Sequence, residues 1–174
     1  MGRRLFQLLL ACILSTSAGP VFAHADGDAP ALSGNSEIIS TAQTYLAAYF
    51  ALDAAKLETL TAETMTFSDP TSAAFPAPQG GFNFDSKAAY LAFIKQAGGQ
   101  LEDFNYQCDR IYEASGRVVC VGTARYIAAA ASGKVRYETP VVTIITVAKG
   151  LITEHRDYAD YSGTRATPIA ADRP

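Results

Sequence analysis

The chain has 174 residues, 49% of them hydrophobic, and a formal charge of −3. That length suits one domain with appendages, and the apolar content supplies a core, which excludes disordered and fibrous classes. The acid excess and the absence of any lysine or arginine run after the first few residues exclude a non-specific nucleic-acid binder, which needs a basic stripe.

Residues 1–25 read as an export signal. Arg3 and Arg4 supply a positive start, Leu5 to Leu14 an apolar centre, and the small residues at Ala23 and Ala25 offer cleavage points. The apolar centre is too short to span a bilayer. The expected location is therefore periplasmic or secreted, with no membrane attachment after cleavage. Residues 26–35 (DGDAPALSGN) read as a flexible leader, residues 36–162 as the domain, and residues 163–174 as a loose tail.

Within the domain, Ile38, Ile39, Ala42, Tyr45, Leu46, Tyr49 and Phe50 recur at helical spacing from about Ser36. Asp53 fits the N-cap of a short second helix that ends at Leu60. Met65 and Phe67 alternate with polar neighbours in a strand whose apolar side also carries Asp69, and Pro70 ends it. A loop from Thr71 to about Phe84 has the length of a lid or binding loop. Asp85 or Ser86 caps a third helix with Tyr90, Phe93 and Ile94 inward, stopped by Gly98-Gly99. Strands follow at 101–113, 117–129, 134–148 and 151–159, and Ser115-Gly116, Ser132-Gly133 and Lys149-Gly150 mark turns of an antiparallel meander. Pro140 implies an edge or a bulge in the third of these strands. The order predicts an α+β fold, with three N-terminal helices on one face of a curved antiparallel sheet, closing a cone with an open mouth.

Cys108 and Cys120 fall on consecutive strands. Export permits a bridge between them, and two buried free thiols are the alternative. A five-residue connection would set them opposite each other, and a shorter turn would leave them diagonal.

Only His24 and His155 are present, and no histidine–cysteine cluster stands at ligand spacing, so no metal is expected. No phosphate-cradling Gly-rich loop and no Gly-x-Ser-x-Gly elbow occurs, and no cofactor is expected. What remains is a set of acid/base groups that the fold can gather. They are Tyr45 on the first helix, Asp69 on the first strand, and His155 and Asp157 on one face of the last strand. A carboxylate against an apolar wall has its charged form disfavoured, which moves it toward the range useful for proton transfer. Each residue also has a structural reading. Tyr45 fits a core tyrosine, Asp69 a turn starter before Pro70, and His155 a satisfied buried histidine or a solvent partner of Asp157.

The segment TYLAAYFALDAAKLETLTAETMTFSDP resembles the opening of the ketosteroid isomerase and SnoaL-like group, within the cone-shaped superfamily of nuclear transport factor 2. The likeness covers about residues 36–162 and rests on Tyr45, Asp53 and Asp69-Pro70. It implies a tyrosine donating to an enolate oxygen at Tyr45 and a proton-shuttling aspartate at Asp69. The isomerases also place a neutral aspartic acid two residues after a proline on the third long strand. Here that position is Val142, which cannot donate. The resemblance further implies a working acid/base residue on the last strand, where His155 and Asp157 stand, and pairing of two chains through the outer sheet face as a homodimer. The expected function is an exported small-molecule-binding domain acting by acid/base chemistry of isomerase, cyclase or dehydratase type. Asp69 would be the base, Tyr45 and His155 would polarise a carbonyl, and Asp157 would orient His155. The partner would be a small apolar molecule bearing oxygen, lined by Tyr49, Phe67, Tyr90, Phe93 and Val142. The alternative is a non-catalytic binding or dimeric interaction domain.

Overall fold

The computed structural model describes residues 36–74, 81–131 and 133–170. The expected export signal and leader lie outside these residues, as do positions 75–80 of the long loop. Helix α1 spans Ser36–Phe50, α2 Ala54–Leu60 and α3 Lys87–Gly98. The Asp53 carboxylate accepts from the Lys56 amide at 2.9 Å and the Ser86 hydroxyl from the Ala89 amide at 3.3 Å, so α2 and α3 begin on side-chain caps. Ile39, Ala42, Tyr45, Leu46 and Tyr49 are buried, which makes one face of α1 the floor of the core.

The strands are β1 (Thr61–Asp69), β2 (Phe82–Phe84), β3 (Leu101–Ala114), β4 (Arg117–Ala130), β5 (Gly133–Ala148), β6 (Leu151–Ala159) and β7 (Arg165–Pro168). They form one sheet in the order β2-β1-β6-β5-β4-β3, with β7 beside β5. Two-residue turns close the first and last hairpins of the meander. Ser115 and Gly116 take φ of 54° and 79°, and Lys149 and Gly150 take 52° and 75°, the left-handed pair that matches strand twist. The result is the expected α+β cone, with three helices against a curved and mostly antiparallel sheet.

The sheet is mixed rather than purely antiparallel. β1 runs parallel to β6, with Phe67 opposite His155 and Ser68 opposite Arg156. Such a pair needs a long crossover, and the whole meander supplies it. Two segments expected to be irregular are strands. Phe82–Phe84 pairs with the end of β1, because Phe82 and Phe84 pack on Phe93 with ring centroids 5.5 and 4.9 Å apart. Arg165–Pro168, placed in the loose tail, pairs with Val135–Glu138 and satisfies an edge of β5 that β6 does not reach. Pro140 stands where these two partners meet. Its carbonyl accepts from the Asp160 amide at 2.8 Å, so its nitrogen faces the same join, where no ladder bond is required.

Cys108 and Cys120 are disulfide-bonded, with Cα atoms 5.8 Å apart. The short turn leaves them diagonal: Cys120 faces Ile111, while Cys108 faces Gly122 across a bulge at Asp109. The bulge brings the backbones so close that a Cβ on Gly122 would lie 1.9 Å from the Gln107 carbonyl oxygen. Reducing the bond in the folded protein is expected to lower unfolding free energy by about 3 kcal/mol, a typical value for a short loop. Urea denaturation with and without a phosphine reductant measures it.

Candidate functional site

Three segments meet over the open side of the cone. On α1, Tyr45 and Tyr49 lie one turn apart on the inner face. On β1, Phe67 and Asp69 point inward, and on β6 His155 and Asp157 do the same. The inward positions of β5 are odd-numbered, from Val135 through Val147. Together these elements surround a cavity of about 140 Å³. Tyr49, Phe50, Phe67, Phe93, Phe104, Tyr126 and Tyr137 form its aromatic wall, and Asp69, Asp157, Thr139, Thr143 and Tyr161 supply polar atoms.

The candidate residues divide into two groups. Asp69, Asp157, Tyr49, Phe67 and Phe93 line the cavity. Tyr45, Tyr90 and His155 do not: each is fully buried behind the wall. Val142 is also absent from the lining. Its even-numbered position on β5 turns it to the outer face, while Val141 and Thr143 face inward.

The buried group is a hydrogen-bonded chain. The Tyr90 and Tyr45 hydroxyls are 2.7 Å apart, and the Tyr45 hydroxyl is 2.8 Å from His155 Nδ1. His155 Nε2 lies 3.0 Å from Asp157 Oδ1, which also accepts from the Thr143 hydroxyl at 2.5 Å. One proton arrangement satisfies every contact: Tyr90 donates to Tyr45, Tyr45 to Nδ1, and Nε2–H to the carboxylate. The imidazole is held edge-on by Tyr49 and Phe67, each with its ring centroid 4.7 Å away. Of these two residues, Asp157 is the one that reaches the cavity, with His155 hydrogen-bonded behind it. Asp157 Oδ2 accepts no hydrogen bond among the described residues.

Asp69 is held differently. Its Oδ1 accepts from the Thr71 amide at 3.1 Å, the Thr71 hydroxyl at 2.5 Å and the Ser72 amide at 3.1 Å. Oδ2 accepts from the Tyr161 hydroxyl. Burial pushes the Asp69 carboxyl above its ordinary range, and the charge of Asp157 adds to that, while the bonds from Thr71 and Tyr161 oppose it. Burial and then the Asp157 charge also raise the pKa of Tyr49. The Tyr49 hydroxyl has no hydrogen-bond partner among the described residues, although the residue is only 6% exposed. It is the tyrosine of α1 that faces the cavity. Tyr45, four positions earlier, spends its hydroxyl inside the core.

Tyr161 and Thr143 were not among the candidates. Tyr161 continues the parity of His155, Asp157 and Ala159, and Thr143 is the cross-strand partner of Asp157. Inward parity was the available signal for both. Asp160 follows the end of β6, its Oδ1 accepting from the Ser162 hydroxyl and the Gly163 amide. That turn aims Tyr161 back at Asp69. Because its hydrogen bond favours the ionised form, Tyr161→Phe is expected to raise the Asp69 pKa further. Carboxyl-carbon NMR titration reads that shift, and an unchanged or lower value would contradict it.

Three solved structures show how this architecture recurs. A protein from Shewanella denitrificans OS-217, assigned as a SnoaL-like polyketide cyclase, superposes with a TM-score of 0.64 at 16% identity, over 73% of this chain and 93% of its own. An LEH-like epoxide hydrolase from M. tuberculosis gives 0.58 at 19% identity, covering 71% of this chain and 83% of its own. A protein of ketosteroid isomerase-like fold from Catenulispora acidiphila DSM 44928, in complex with trimethylamine, gives 0.56 at 17% identity, over 68% and 83%. At these identities the likeness shows the fold. No curated protein matches the chain. The family description "SnoaL-like domain" matches residues 42–155, from the inner face of α1 to the histidine behind the cavity wall, and with well over half its length so matched the chain belongs to the SnoaL-like domain family.

Proposed function

We propose that this protein is an exported acid/base enzyme acting on a compact, largely apolar molecule that bears a carbonyl or similar oxygen. The observation that carries the reading is the pair of carboxylates, Asp69 and Asp157, on the wall of one aromatic cavity with different hydrogen-bond partners. Two carboxyls in unlike surroundings can divide the roles of acid and base. Asp157 Oδ2, without a donor, takes a proton from the carbon beside the carbonyl. The electron pair of that C–H bond becomes the new C=C bond and displaces the carbonyl π pair onto the substrate oxygen, which receives a hydrogen bond from Tyr49 and a proton from Asp69. Reversal returns both protons. His155, Tyr45 and Tyr90 hold Asp157 in place and respond to its change of charge by reorienting hydroxyl protons. The base thus moves from Asp69 to Asp157, and the donor from Tyr45 to Tyr49, because those residues line the cavity with hydrogen-bonding capacity left unused among the described residues.

Relatives of this fold include an epoxide hydrolase and a protein holding trimethylamine, which supports a small guest. The disulfide supports export, since such bonds persist in oxidising compartments. Pairing of two chains through the outer sheet face belongs to the same proposal, and sedimentation equilibrium tests it. Binding without chemistry is the second reading, favoured by the four hydrogen bonds that already occupy Asp69.

The deciding experiment incubates small cyclic ketones with the protein in deuterium oxide and follows loss of the proton beside the carbonyl by proton NMR. Exchange above the buffer rate, lost in Asp157→Asn and weakened in Tyr49→Phe, is expected. Thermal stabilisation by the ketones without exchange would leave only the binding reading.

A further inference from the structure

We infer that the natural ligand of this cavity carries a positive charge, as a small alkylammonium group, together with an oxygen. This rests on the reading above that the cavity is the binding site, and it narrows the ligand class.

Among the described residues, two of those lining the cavity are carboxylates, and none is lysine, arginine or histidine. His155, the nearest basic side chain in the network, is wholly buried behind Asp157 and contacts only Oδ1. Asp157 Oδ2 is left without a donor among the described residues. An ionised Asp157 facing an apolar space without a counter-charge is unfavourable, and Asp69, the proton donor of that reading, offers no positive charge to offset it. An anionic guest would meet the Asp157 charge and is disfavoured. A cation would neutralise it.

The remaining wall suits the same guest. The faces of Phe, Tyr and Trp rings attract cations through their quadrupole, most effectively where water is excluded, and quaternary ammonium groups are bound in aromatic enclosures by this means. Tyr49, Phe67, Phe93, Phe104 and Tyr126 provide such rings here. Tyr49 is only 6% exposed, and its hydroxyl, unpartnered among the described residues, adds an independent feature. It is free to donate to the ligand oxygen. The volume of about 140 Å³ limits the guest to roughly the size of a single benzene ring. An amino alcohol or amino ketone with a methylated nitrogen meets all of these demands.

Choline and its uncharged isostere, in which a quaternary carbon replaces the nitrogen, share one shape and one hydroxyl and differ in charge. Isothermal titration calorimetry at neutral pH compares them on the wild type and on Asp157→Asn, a substitution that keeps an acceptor for Thr143 and His155. Choline is expected to bind tighter by on the order of tenfold, and the asparagine variant is expected to bring the two within about twofold. Tyr126→Leu, which removes a ring and leaves both carboxylates, is expected to weaken choline more than the isostere. Equal or tighter binding of the isostere to the wild type would overturn the charge requirement and leave the cavity as a binding site for neutral molecules. An undiminished preference for choline in Asp157→Asn would also overturn it. Binding of neither compound would sink both this inference and the reading of the cavity as a ligand site.

Discussion

Asp69→Asn is expected to slow proton exchange by on the order of a hundredfold or more and, at neutral pH, to raise the thermal midpoint. The two outcomes share one cause. Burial lifts the Asp69 pKa in the fold above its value in the unfolded chain. The folded protein then binds this proton more readily than the unfolded one, so above the folded pKa the charged, desolvated carboxylate counts against folding. As pH falls through the folded value, protonation relieves the penalty, and the gain is complete once the unfolded value is passed. Asparagine carries no charge to desolvate. Its Oδ1 still accepts from Thr71 and Ser72, and its Nδ2 can donate to the Tyr161 oxygen. The advantage over the wild type should therefore be present at neutral pH and shrink in acid. Midpoints measured across that range, beside the exchange rate, check both halves. An equal loss of stability at all pH values would show that the hydrogen bonds outweigh desolvation at this site.

His155→Leu is expected to cost about 3 kcal/mol of folding free energy, because it deletes both hydrogen bonds of a fully buried ring. Leucine fills much of the volume between Tyr45, Tyr49 and Phe67, so the loss comes chiefly from polar atoms. Tyr45 loses its acceptor while keeping Tyr90, and Asp157 loses one of its two donors while keeping Thr143. Tyr45→Phe also removes two hydrogen bonds, leaving Nδ1 without a donor and the Tyr90 hydroxyl without an acceptor, but it takes no donor from a carboxylate, so its cost should be smaller, about 1–2 kcal/mol. Urea denaturation with an unchanged m-value gives both numbers. A cost below about 1 kcal/mol for His155→Leu would mean that the ring serves as filler and not as a strut for Asp157.

The architecture was legible wherever its causes are local. The caps at Asp53 and Ser86, the turns at Ser115-Gly116 and Lys149-Gly150, and the parity of the long strands are written in adjacent residues. The site was legible in part. Parity placed His155 and Asp157 on one face, and alternation placed Asp69 with Phe67. What could not be read was depth. Tyr45 and Tyr49 share a helix face, and only the position of β6 beside β1 decides that one hydroxyl bonds His155 and the other faces the cavity. The same holds for Val142 and Thr143, whose facing follows from the register of β5 with β6. The proline-based spacing pointed to Val142, whereas burial parity points to Thr143. Tyr161 was hidden by a turn that sends the chain back across the cavity mouth.

The parallel seam between β1 and β6 sets the order in which this protein can assemble. Each hairpin of the meander brings together residues close along the chain, whereas Phe67 must find His155 across most of the domain. Contacts of such separation close slowly and late. Asp69 stands on one side of that seam and Asp157 on the other, so a partly folded chain holds only half of the charged wall. During synthesis β6 also leaves the ribosome after nearly everything it must join. A cavity built this way cannot form ahead of the strands that wall it, and its two carboxylates meet only when β6 docks on β1.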